Sequence, residues 1–197
     1  MNYKISLFLL LGYLFLCANS YASVYSDEEI SGAITTENTG LFLEMMAAGV
    51  DVNEKDVEGN TPLIKASSYG KVNFVKFLLD MGADVHKMNY KGVTALHRAA
   101  GTGNNEIVNL LLDNNAFVDM PDLEGNTPLM AAVSADKFST VELLIKRGSI
   151  VEFRNKKGQT AINIAKNKRF WKIYSYLIVD RSGDMVLEKK PSYSWDY

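Results

Sequence analysis

The chain is poor in the residue types that build metal and thiol sites: 197 residues include one cysteine, Cys17, and two histidines, His86 and His97. A lone thiol closes no internal disulfide, and zinc is held mainly by cysteine and histidine, so a site for it here would need carboxylates for most of its ligands. No Gly-x-Gly-x-x-Gly or Walker-type phrase is present, which removes the usual phosphate cradles. Basic charge is not in excess either. Twenty-one Lys and Arg stand against 23 Asp and Glu, a net charge of −2, and no basic stripe runs along the chain. Nucleic acid is therefore not an expected partner, since its binding rests on cations facing phosphates. No Pro/Gly/Ser-rich linker divides the sequence, and a single extended domain is expected.

Long apolar runs are also missing. The longest, Ile5 to Leu16, is broken by Ser6, Gly12 and Tyr13. That is too short for a bilayer, which needs roughly 20 apolar residues. With Lys4 before it and the small residues Ser20-Tyr21-Ala22 after it, the segment reads as a secretory leader, residues 1–22, with cleavage after Ala22. Leu16 stands where a lipid anchor on Cys17 would require a small residue, so lipidation is not expected. The exported chain would start at Ser23, carry 20 basic against 23 acidic groups, and contain no thiol. The expected location is the periplasm or the medium.

What the chain has in abundance is repetition. Thr61, Thr94, Thr127 and Thr160 are spaced 33 residues apart, in the phrases Gly59-Asn60-Thr61-Pro62-Leu63, Gly92-Val93-Thr94-Ala95-Leu96, Gly125-Asn126-Thr127-Pro128-Leu129 and Gly158-Gln159-Thr160-Ala161-Ile162. A unit of this size cannot bury its apolar face alone, so copies must stack and share a core. The units run 23–55, 56–88, 89–121, 122–154 and 155–187, the first being weaker, with a tail at 188–197. In the second unit Gly59-Asn60 supplies a turn and Thr61-Pro62 opens a short helix whose buried side carries Leu63 and Ala66. Gly70 ends that helix. A second one, Val72 to Met81, places Val72, Val75, Leu78 and Leu79 on one face, and Gly82 stops it.

This pattern resembles the ankyrin repeat, whose phrase includes Thr-Pro-Leu-His followed by two alanines and later Gly-Ala-Asp-Val. Thr94-Ala95-Leu96-His97-Arg98-Ala99-Ala100 and Gly82-Ala83-Asp84-Val85 carry the resemblance, which extends from about Ala33 to Asp180. It implies an all-α solenoid of about five helix-turn-helix repeats joined by β-turn fingers. Departures fall where a finite stack puts them. Ser26-Asp27-Glu28-Glu29-Ile30 reads as a polar cap on the first helix, and Lys166 stands where other units carry Ser67, Ala100 or Val133. Asn115 takes the place of a helix-ending glycine. Asp136 and Arg169 replace the glycine between the two helices of their units.

No catalytic centre is expected. The recurring threonines have no recurring base, and their hydroxyls are read as helix caps. Asp51, Asp56, Asp84 and Asp122 recur in phase and are read as turn groups rather than an acid/base pair. His97 occupies the family's histidine position, where the imidazole ties neighbouring turns together, and His86 is assigned to the surface. About half of the methionines Met45, Met46, Met81, Met88, Met120 and Met130 are expected to pack between repeats rather than offer an adaptable surface.

The resemblance further implies a protein partner on the concave side, touching finger tips and first helices. The corresponding tips are Val57-Glu58, Tyr90-Lys91, Leu123-Glu124 and Lys156-Lys157, flanked by Asn60, Val93, Asn126 and Gln159, with Ser68, Tyr69, Thr102, Ser134 and Ala135 from the first helices. Val57, Tyr90 and Leu123 would form an apolar row beside alternating charges, Tyr90 being the expected anchor. No cofactor is expected, and the protein is expected to be a monomer. Two alternatives belong to other classes: an inhibitor or immunity-type protein of an exported enzyme, and a periplasmic accessory to a redox or haem enzyme. The aromatic tail, with Tyr193, Trp195 and Tyr197, is expected to cover the last repeat, a partner-binding peptide being the rival reading.

Overall fold

The computed structural model describes residues 25–179, so the leader and the tail lie outside the described residues. Within them are ten helices in five antiparallel pairs: α1 Asp27–Thr35 with α2 Thr39–Ala47, α3 Pro62–Ser68 with α4 Val72–Asp80, α5 Ala95–Thr102 with α6 Asn105–Asp113, α7 Pro128–Ser134 with α8 Phe138–Lys146, and α9 Ala161–Asn167 with α10 Trp171–Ile178. First helices pack on first helices along the stack, α1 through α9, while second helices form a parallel outer layer. One core runs between the layers, with Ala33, Ala66, Ala99, Ala132 and Ala165 buried at the same place in every unit. Alanine there lets successive short helices approach closely, and the larger Leu63, Leu96 and Leu129 fill the space beside it.

Local chemistry sets each boundary. Thr61, Thr94, Thr127 and Thr160 all sit in extended backbone at the N-cap, and each hydroxyl accepts the N–H three residues on, from Ile64, His97, Met130 and Asn163. Pro62 and Pro128 follow at the first helical position, where a missing N–H leaves nothing unpaired. The first unit, lacking the threonine phrase, starts α1 from Ser26, which forms a reciprocal capping box with Glu29. The polar-cap expectation is thus met. Asp27 does more than cap, because its Oδ2 accepts the Val57 N–H of the next unit at 3.1 Å, a bond that the later fingers make to a backbone carbonyl.

Two expectations are refined. The buried face of α4 is centred on Phe74, Val75 and Leu78, while Val72 and Leu79 are only half-buried. The reason lies in the neighbouring unit: Phe42 of α2 meets Phe74 edge-on at 5.4 Å and Phe77 at 6.1 Å, so the Phe74 side of α4 is covered. The substituted glycine positions keep the backbone of the glycine. Glu37, Asp136 and Arg169 adopt φ of 54°, 56° and 61°, matching Gly70 at 68°, and Asn115 adopts 66° at the other helix end. The helix pair and its neighbour hold the left-handed turn even where the residue disfavours it.

A non-glycine residue in that region carries a strain of roughly 1–2 kcal/mol, less for Asp or Asn. Arg169→Gly should therefore raise stability by about 0.5–1 kcal/mol, the gain being trimmed by glycine's freedom in the unfolded chain. Asp136→Gly should gain less. Urea unfolding of the two variants side by side checks both the sign and the order.

Candidate protein-binding surface

The fingers are built by hydrogen bonds internal to each turn. Asp56 Oδ1 accepts the N–H groups of Glu58 at 2.9 Å and Asn60 at 2.7 Å, and Asp122 Oδ1 does the same for Glu124 and Asn126 at 2.9 and 2.7 Å. Asn89 and Asn155 accept in the same way in the alternate units. The in-phase aspartates are turn groups, as read from the sequence. Each finger is then joined to the next through its backbone: Tyr90 N–H donates to Glu58 C=O at 3.2 Å, Leu123 N–H to Lys91 C=O at 3.0 Å, and Lys156 N–H to Glu124 C=O at 2.9 Å. The tips are consequently fixed in one row. Val57, Tyr90 and Leu123 stand along that row at 86%, 66% and 57% exposure.

Glu58, Lys91, Glu124 and Lys157 are exposed beside them, and Tyr69, at the end of α3, is nearly half exposed. Thr102 is exposed at the end of α5, and Val93 and Asn126 are half-buried. The Tyr90 ring lies against Gly59 of the preceding finger, and Lys55 Nζ sits 5.7 Å from its centre. Asn60 departs from expectation. It is 7% exposed, its Nδ2 donates to Asp56 and Glu58, and its Oδ1 accepts from Asn89 Nδ2 at 2.9 Å, so its side chain is consumed in holding two fingers together. Asn126 is used similarly, donating to Asp122 and accepting from Asn155 Nδ2 at 2.9 Å.

These amide chains pair the second unit with the third and the fourth with the fifth. Between the third and fourth units the chain stops at Val93, which stands at the place of Asn60 and Asn126 and has no side-chain acceptor. His97 bridges that gap. Its Nε2 lies 2.9 Å from the Asn126 carbonyl, which can only accept, so Nε2 carries the proton and Nδ1 accepts from the Thr94 hydroxyl at 2.9 Å and the Thr94 N–H at 3.3 Å. Burial pushes the imidazole below its ordinary 6.5, assisted by the Arg98 charge and partly opposed by the Asn126 carbonyl and the Asp122 charge. Both ring nitrogens are occupied, and His97 has the tying role assigned to it. His86 is exposed and stacks on Phe117 at 4.4 Å between ring centres. Among the described residues no group of three or more His, Cys, Asp or Glu is placed to hold a metal ion.

Charge is handled unevenly along the first helices. Lys65 on α3 reaches Asp56 at 3.0 Å and Ser31 Oγ at 2.7 Å. Burial opposes the charge on Asp56, but hydrogen bonds from Lys65 and Asn60, with the Lys65 charge, hold its carboxyl below the ordinary value. Arg98 occupies the Lys65 position in the next unit, where the aspartate has become Asn89. Its Nε is buried without a hydrogen-bond partner. The sequence reading passed over Arg98, although the exchange of Asp56 for Asn89 in the neighbouring turn was a visible signal.

A second group missed in the sequence is Asp119, at the position of Asn53. Asn53 Oδ1 accepts the Asp84 N–H at 2.8 Å, and Asp119 accepts the Ile150 N–H at 3.0 Å together with the Ser149 hydroxyl at 2.5 Å. Burial pushes its carboxyl up, against the pull of those two donors. It links the third unit to the fourth. Among the described residues no helix is long and apolar enough to cross a membrane.

Residues 32–122 match the family model described as ankyrin repeats (3 copies), and residues 102–145 match the one described as ankyrin repeats (many copies). No curated protein matches the chain. With the 33-residue period, paired helices, capping threonines and joined fingers in place, and more than half of the 197 residues covered by the two matches, the chain belongs to the ankyrin-repeat family.

Proposed function

We propose that this protein is an exported, non-catalytic scaffold that binds another protein through the row of finger tips and the adjoining ends of the first helices. Ankyrin repeats generally mediate protein–protein interaction, and the observation that supports this role here is the exposed row Val57, Tyr90 and Leu123 on tips pinned by backbone hydrogen bonds. Apolar side chains held rigid before binding lose little freedom on docking, and a central aromatic with polar neighbours is the usual composition of an interface core. Glu58, Lys91 and Glu124 supply the polar rim.

The test begins with capture of a stoichiometric partner on the tagged protein from its native source. Tyr90→Ala should weaken that complex about tenfold or more, and Leu123→Ala somewhat less, while circular dichroism and the unfolding midpoint stay near those of the parent because both side chains are mostly in water. Unchanged retention of the partner by the Tyr90→Ala/Leu123→Ala double variant moves the site elsewhere on the protein. Export rests on the leader at residues 1–22. N-terminal sequencing of the exported chain should find Ser23 first, and an intact Met1 in the cytosolic fraction alone would refute it.

A further inference from the structure

We infer that the hollow between the third and fourth units receives a carboxylate, an Asp or Glu side chain of the protein partner, seated on Arg98. The inference rests on the finger-face reading above and specifies what that partner must present. The hollow measures about 450 Å³ and is lined by Val93, Arg98, Gly101, Asp122, Met130 and Ala131 among others. Small residues make the room: Ala131, at the Arg98 position of the next unit, and Gly101 line the hollow beside the guanidinium.

Three observations point to the ligand's charge. Arg98 forms no ion pair among the described residues, whereas Lys65, its counterpart one unit earlier, is closed off by Asp56 at 3.0 Å. The buried Arg98 Nε has no acceptor, so nothing among the described residues satisfies the guanidinium at that atom. Asp122, the acidic group that lines the same hollow, has its oxygens occupied by the Glu124 and Asn126 N–H groups and the Asn126 amide. His97 at the floor is neutral in its tautomer and adds no charge, and Lys91 is exposed on the same finger as Val93 without an ion-pair partner among the described residues.

A guanidinium fork presents parallel donors to a carboxylate, a geometry that a lysine cannot copy. Beside it, Val93 and Met130 offer apolar contact, and the Tyr90 and Leu123 tips lie on the two fingers that flank the hollow. The partner segment is thus an acidic residue entering the hollow with an apolar neighbour on the tips.

The experiment uses a random dodecapeptide library displayed on phage, selected on the immobilised protein, with winning peptides resynthesised. Selected peptides should carry Asp or Glu, and changing that residue to Asn or Gln should weaken binding about tenfold. Arg98→Met should lose a similar factor, the two changes together should lose little more than either alone, and Arg98→Lys should restore only part. Thermal unfolding of Arg98→Met and Arg98→Gln confirms that each folds. Peptides that respond to Tyr90→Ala or Leu123→Ala but are indifferent to Arg98→Met would overturn the carboxylate and leave the finger face standing. Peptides indifferent to all three, or an empty selection, would overturn both.

Discussion

Gly92→Ala should cost at least about 3 kcal/mol of stability, and Gly158→Ala only about 1, although the two glycines hold equivalent places in their fingers. Both have left-handed backbone, φ of 74° and 69°, so both variants carry the strain that a Cβ meets there. They differ in their surroundings. A Cβ on Gly92 would lie 2.6 Å from Leu123 N and 3.1 Å from the Asp122 backbone, while one on Gly158 meets nothing within 4 Å. Backbone cannot swing aside as a flexible side chain can, so Gly92→Ala must part the third and fourth fingers and stretch the Leu123 N–H bond to Lys91 C=O, 3.0 Å in the parent. Urea unfolding measures the pair. Equal losses would show that the fingers are not packed closely enough to feel a methyl group, and the pinned row of tips would lose its basis. Gly92→Ala should also weaken partner binding in whatever fraction still folds, since it displaces Tyr90 from Leu123.

That contrast shows which features a sequence reveals and which it conceals. The threonine phrase, the helix-ending glycines and the Leu63, Leu96, Leu129 series repeat because every unit meets the same neighbours, and a constant environment writes itself as a period. The stack, its helix pairs and its capping groups were therefore legible before any coordinate. Asp136 and Arg169 were harder, since their left-handed backbone is held at the equivalent place by the surrounding helix pair and no local glycine announces it. The α4 face was read slightly rotated for a related reason: periodicity locates a helix's apolar side but says nothing of Phe42 arriving from another unit.

The candidate surface divides the same way. Val57, Tyr90 and Leu123 could be placed on the tips because they stand 33 residues apart at the turn positions that the ankyrin resemblance assigns to the fingers. Asn60 could not be separated from them by pattern alone, since its burial depends on Asn89 reaching across from the next finger at 2.9 Å. Arg98 is the converse case. An arginine on a first helix reads as ordinary solvated charge until Asn89 is seen where the pairing carboxylate of Lys65 stands one unit earlier. On the proposed reading such breaks in the repeat are what a partner recognises, and each break takes its meaning from residues about one period away.

One of these cross-unit ties, through His97, is the one that acid should loosen. Removing the imidazole by His97→Ala strands the Asn126 carbonyl and takes from the Thr94 N–H and hydroxyl their shared acceptor, a loss of about 3 kcal/mol. Protonation attacks the same bonds more gently. A proton on Nδ1 would face the Thr94 N–H at 3.3 Å, where the neutral ring accepts, and burial already holds the group below its ordinary 6.5. In the unfolded chain the imidazole titrates near 6.5, so between that pH and the lower folded value the unfolded state binds more protons. Stability is accordingly complete above about 6.5 and falls as the pH drops below it, with a slope approaching 1.4 kcal/mol per pH unit, roughly the value of one proton. Asp119 has the opposite sign, because its raised carboxyl favours the folded state at lower pH, and it should be cancelled by comparison rather than by calculation. Unfolding midpoints of the parent and of His97→Gln, followed together from pH 7.5 to pH 5, isolate the histidine: the parent should lose stability faster than the variant. Parallel lines would mean that the ring accepts its second proton without cost, with Nδ1 then donating to the Thr94 hydroxyl and the Thr94 N–H giving up this acceptor.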